Sequence, residues 1–66
     1  MGAFSKFLGT PEERAEHVAD RMDDAVDSLK HGDRPAAEAT WRDINYDFDA
    51  DERAGGRSIF ARRHGI

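Results

Sequence analysis

The sequence predicts an all-α fold, an antiparallel helical hairpin followed by a short C-terminal helix. Three observations support this prediction. Apolar residues recur every three or four positions along two long segments, each segment opens with helix-forming signals, and a short connection separates them. A chain of 66 residues forms one small domain, residues 1–66, and such domains bury only about 60% of the surface that their unfolded chain exposes. We therefore expect oligomerisation to complete the core.

The first predicted helix covers residues 11–31. Thr10 is a favourable N-cap, Pro11 suits the first helical position, and Glu13 completes a capping box with Thr10. Gly32 can adopt the left-handed conformation that ends a helix. The apolar stripe of this helix consists of Ala15, Val18, Met22, Ala25 and Leu29.

The second predicted helix covers residues 35–54. Pro35 opens it, and the glycine pair Gly55 and Gly56 is expected to break it. Its apolar positions repeat the spacing of the first helix with larger side chains: Ala37, Trp41, Ile44 and Phe48. Because the first stripe is rich in small residues, Trp41 is predicted to be buried against it.

Apolar fragments flank the two predicted helices. Residues 1–9 are predicted to form an N-terminal turn, and residues 58–64 a short helix or tail. Their apolar side chains are Phe4, Phe7 and Leu8 in the first fragment and Ile59 and Phe60 in the second. Two interpretations stay open: both fragments fold over the hairpin and cap its core, or one is an exposed docking element.

Alternating carboxylates at Asp47, Asp49 and Asp51 resemble the start of a calcium-binding loop. Such a loop needs glycine at position six and glutamate at position twelve, and this chain has Glu52 and Ser58 there. The stretch is therefore interpreted as an acidic helix end. No metal site and no cofactor is predicted.

Several classes of function are excluded by composition. The chain has no cysteine, which excludes disulfides and thiolate chemistry. Its three histidines lack metal-ligand spacing, and no catalytic motif or phosphate-binding loop is present, so we expect no enzyme activity and no small-molecule substrate. No apolar run approaches the roughly 20 residues of a membrane span, and the first residues lack signal-peptide features. The expected location is the cytoplasm.

One stretch, GDRPAAEATWRDI, resembles about half of a tetratricopeptide repeat. The matching positions in this stretch are Gly32, Asp33, Ala37, Trp41 and Ile44. In the preceding helix Ala25 also matches, whereas Arg21 and Asp24 depart from the pattern. The resemblance implies a tight helical hairpin. It does not extend to a peptide-binding groove, because such repeats normally stack in threes or more.

Charge is divided unevenly along the chain. Residues 1–52 contain all 14 acidic and six basic side chains, a net charge of −8, whereas residues 53–66 contain four arginines and no acid. The candidate partner-binding residues are the apolar fragments named above, the acidic residues Asp20, Asp23, Asp24 and Asp27, and the basic residues Arg62 and Arg63.

The predicted function is non-catalytic protein–protein interaction, as a homo-oligomer or a small adaptor. A first alternative is an inhibitor whose acidic helix imitates the phosphates of DNA. A second is a DNA binder that uses the basic tail, but the acidic body opposes direct nucleic-acid binding. The tail is expected instead to pair with the acidic helix of its own chain or of a neighbour.

Overall fold

The computed structural model describes residues 9–66, which form three helices. They are α1 (Pro11–Lys30), α2 (Arg34–Asp47) and α3 (Ala50–His64). Both α2 and α3 pack along α1, which is therefore the central helix. The predicted all-α class is confirmed. Within the described helices, no stretch combines the length and the apolar composition needed to cross a bilayer.

Helix α1 begins as its capping pattern predicts. The Thr10 hydroxyl accepts a hydrogen bond from the Glu13 backbone N–H at 3.1 Å, and the Glu13 carboxylate accepts one from the Thr10 N–H at 3.3 Å. Pro11 occupies the first turn, where its missing N–H removes no helical hydrogen bond. The helix ends at Lys30 with His31 as the C-cap, one residue before the predicted end, and Gly32 follows with φ = 76°.

The chain breaks between α2 and α3, where the sequence predicts one helix over residues 35–54. Helix α2 ends at Asp47, and Phe48 is extended, with φ = −127° and ψ = 145°. Asp49 then caps α3: its carboxylate accepts from the Glu52 N–H at 2.8 Å, and the Glu52 carboxylate accepts from the Asp49 N–H at 2.9 Å. This reciprocal capping box starts a new helix. The predicted short element over 58–64 is the C-terminal half of α3.

The glycine pair does not break a helix. Gly55 and Gly56 lie inside α3, where it packs tightly against Ala15 and Val18 of α1. A Cβ atom on Gly56 would lie 2.3 Å from Cγ1 and 2.5 Å from Cβ of Val18, and one on Gly55 would lie 3.0 Å from Cβ of Ala15. The absence of side chains lets the two backbones approach, and this contact outweighs the low helix propensity of glycine.

The core lies where the three helices meet. It consists of Val18, Met22, Ile44 and Phe48, with Phe60 packed against it. Trp41 is 38% exposed, so the prediction that it is buried is wrong, and Leu29 is 51% exposed. Phe48 and Phe60 supply the aromatic bulk because α3 covers the middle of α1.

Candidate functional site

An open groove of about 860 Å³ runs between α1 and α3. Its apolar lining includes Ala15, Gly55 and Ile59, of which only Ile59 is large. Carboxylates line one end, at the starts of both helices, and two arginines line the other. The charged lining residues are Glu12, Glu16, Asp49, Asp51, Glu52, Arg62 and Arg63. We call this surface the α1–α3 groove.

The contacts across the groove show that α3 runs in the same direction as α1. Glu52 near the start of α3 pairs with Arg14 near the start of α1, and Gly56 lies over Val18. Arg63 at the end of α3 reaches Asp23, farther along α1. Because the helices are parallel, their acidic first turns meet at one end of the groove and the last turn of α3 defines the basic end.

At the acidic end of the groove, an ion pair between Arg14 and Glu52 joins α1 to α3. The Arg14 Nε donates to the Glu52 carboxylate, and its Nη2 donates to Oε1 of the same group at 3.2 Å. Both side chains are nearly buried, at 14% and 13% exposed. The guanidinium also lies over the Phe48 ring, 5.5 Å from its centroid. The hydrogen bond from Arg14 lowers the pKa of Glu52 below its ordinary value.

The basic end is fixed to α1 by Arg63 and His64. Arg63 Nη1 donates to Asp20 at 2.8 Å and to Asp23 at 3.0 Å, and His64 Nε2 lies 2.6 Å from the other oxygen of Asp23. The His64 ring also packs 4.3 Å from Phe60, measured between centroids. The hydrogen bond from His64 and, to a smaller extent, the one from Arg63 lower the pKa of Asp23 below its ordinary value. The expectation that the basic tail pairs with the acidic helix is confirmed within one chain.

The structure divides the predicted acidic residues into two pairs. Asp20 and Asp23 form ion pairs with Arg63 at the end of α3, whereas Asp24 and Asp27 are exposed on α1 and form no ion pair with α3. Asp27 lies 3.7 Å from the ring nitrogen of His31, with 70% of its side chain exposed. The four carboxylates therefore do not form one uniform acidic surface.

The remaining candidates have different roles. Ile59 and Arg62 line the α1–α3 groove together with Arg63. Phe60 packs against the core, which makes it a structural residue. The candidates of the predicted N-terminal turn, Phe4, Phe7 and Leu8, lie outside the described residues.

Three residues that position the site are not identified by the sequence pattern. Arg14 has no role in the prediction from the sequence, and Gly56 is expected there to break a helix. Glu52 enters that prediction only as a mismatch to the calcium-binding loop pattern. One signal was visible: Asp49 and Glu52 have capping-box spacing, which predicts a helix start at that point.

The alternating carboxylates have structural positions. Asp49 caps α3, Asp51 lies in its first turn, where the helix dipole favours an acid, and Asp47 ends α2. Within residues 9–66, histidine, aspartate and glutamate side chains form no group of three or more that could hold a metal ion.

Protein-family models, curated proteins and solved structures contain no significant match to this chain.

Proposed function

We propose that this protein is a non-catalytic protein–protein interaction module that binds its partner through the α1–α3 groove. In this proposal α1 and α2 form the antiparallel hairpin that supports α3. The observation that carries the proposal is an open groove with small apolar residues along it and opposite charges at its two ends.

A groove of this kind fits a helix better than a small molecule. It follows two parallel helices, so a partner helix can lie along it and contact it over several turns. Ala15 and Gly55 are small and line the groove beside Ile59, so an apolar side chain of the partner can lie against this part of the groove. The charged ends then fix the direction in which the partner lies.

The DNA-mimic alternative receives less support from the charge arrangement. Such a surface needs a row of carboxylates available to a basic partner. Asp20 and Asp23 are already paired with Arg63, and His64 also contacts Asp23. Asp24 and Asp27 are exposed and form no ion pair with α3, whereas Asp20 is exposed but already paired with Arg63.

The proposal is tested by replacing a residue in the middle of the groove. Ile59→Glu places a charge among the apolar residues, and we expect it to abolish cross-linking of the full chain to its protein partner in cells that naturally contain it. Tyr46→Glu is the matched control, because Tyr46 is 91% exposed on α2 and outside the groove. Circular dichroism establishes that both variants fold. Equal cross-linking by both variants would contradict the proposal.

A further inference from the structure

We propose that the partner in the α1–α3 groove is a second copy of this chain, bound with α3 against α3 in antiparallel orientation about a two-fold axis. This inference rests on the proposed function and adds the identity of the partner. It starts from four groove residues of α3 that recur at spacings of four, four and three, which places them on one helix face: Asp51, Gly55, Ile59 and Arg62.

This face is complementary to itself in size. In a two-fold arrangement, residue i of one copy faces residue j of the other and residue j faces residue i. With the axis near residues 56–57, Ile59 of each copy faces Gly55 of the second copy. Ile59, the largest apolar side chain among the described residues that line the groove, then packs over Gly55, which has no side chain to obstruct it.

The same arrangement makes the face complementary in charge. Asp51 and Arg62 are eleven positions apart on α3, about 16 Å along a helix. An antiparallel approach places Asp51 of one copy opposite Arg62 of the second copy, and symmetry forms this pair twice. A parallel approach would instead bring the acidic ends of the two grooves together, so charge selects the antiparallel one.

The contact is assigned to α3 rather than to α1 because of the acids on α1. Glu12 and Glu16 line the α1 side of the groove, and both are exposed. In the antiparallel arrangement, α1 of one copy lies on the same side as α1 of the other. Close contact between these helices would bring like charges together, which is unfavourable.

Charge reversal tests this arrangement by sedimentation equilibrium of the full chain. We expect Arg62→Glu to weaken self-association at least about tenfold, because two symmetric attractive pairs become repulsive. Asp51→Lys should have the same effect, and an equimolar mixture of the two variants should recover association as a heterodimer. Arg57→Glu is the matched control, since Arg57 is exposed on α3 outside the groove lining.

A second measurement does not depend on charge. The chain has no cysteine, so Asp51→Cys and Arg62→Cys chains can be mixed and oxidised, and we expect a disulfide between them. A mixture of Asp51→Cys and Arg57→Cys chains should form little disulfide, because Arg57 lies outside the groove lining. A monomer at high micromolar concentration, or a dimer indifferent to both charge reversals, would overturn the inference. The proposed function would then stand or fall separately on the Ile59→Glu cross-linking experiment.

Discussion

Gly56 shows how one residue can have opposite effects on a helix and on the fold. In an isolated helix, alanine would be more favourable than glycine at this position. In the folded chain, a Cβ atom there would overlap the Val18 side chain and lie 3.1 Å from the Ala15 carbonyl oxygen. Since Val18 is fully buried, it has little room to move. Packing therefore decides which residue this position accepts.

We predict that Gly56→Ala destabilises the protein by about 1–3 kcal/mol, the usual range for overpacking a core. The measurement is chemical denaturation followed by circular dichroism. Ser58→Ala, on the exposed side of the same helix, is the control and should change stability little. A rise in stability for Gly56→Ala would show that helix propensity dominates and that the close crossing is not constrained.

Residues that act locally were predictable from the sequence, whereas residues that act across helices were not. The capping of α1 depends on Thr10 and Glu13, three positions apart, and a short window contains that information. The Arg14–Glu52 pair joins residues 38 positions apart. Its detection requires the direction in which α3 crosses α1, and the sequence pattern does not contain that direction.

At the scale of elements, α3 is attached to α1 at three points along its length. Arg14 and Glu52 pair near its start, Gly56 packs near its middle, and Arg63 and His64 bind α1 at its end. Two of these attachments depend on an ionised carboxylate with a lowered pKa, Glu52 in one and Asp23 in the other. The docking of α3 is therefore sensitive to acid.

We predict that the melting temperature falls as the pH is lowered below about 4.5. The pKa values of Glu52 and Asp23 lie below their ordinary values of 4.5 and 3.8. Carboxylates of this kind contribute stability that is fully present above the unfolded pKa and is lost as the pH falls through the folded pKa. The Glu52→Gln, Asp23→Asn double variant should melt lower at neutral pH and show a flatter acid dependence.

The control for this experiment removes two carboxylates that do not attach α3. Asp24 and Asp43 are exposed on α1 and α2, and their replacement by asparagine should leave the acid dependence close to that of the unmodified chain. If both double variants flatten the pH dependence of the melting temperature equally, the net charge of the chain rather than the attachment of α3 controls its stability in acid.

At the scale of the whole molecule, the third helix changes which residues form the core. In a hairpin of only two helices, Trp41 is the natural centre of the core, and for this reason the sequence predicts that it is buried. The break at Phe48 and Asp49 instead returns the chain along α1, so Phe48 and Phe60 share the core with Val18, Met22 and Ile44. The element types were predictable from apolar periodicity, but the core required the position of α3.

We predict that Trp41 fluoresces as a partly exposed residue and is quenched by acrylamide in the folded state. Trp41→Ala should cost less than about 3 kcal/mol, the lower end for a fully buried aromatic residue. Phe48→Ala should cost more, since Phe48 is 9% exposed and Trp41 is 38% exposed. The comparison uses denaturation of both variants. A larger loss of stability for Trp41→Ala than for Phe48→Ala would contradict the three-helix core and support a core centred on Trp41.

The glycine pair that brings α3 against α1 also determines when α3 can form. Two interior glycines remove roughly 2 kcal/mol of intrinsic helix stability relative to alanine, and a 15-residue helix is marginal by itself. During folding, α3 therefore becomes helical only after α1 offers a surface on which it can lie. Destabilising substitutions in α3 are therefore expected to accelerate unfolding more than they slow folding. We therefore expect α3 to be the last helix to order and the first to be lost, which hydrogen exchange of its amides would show.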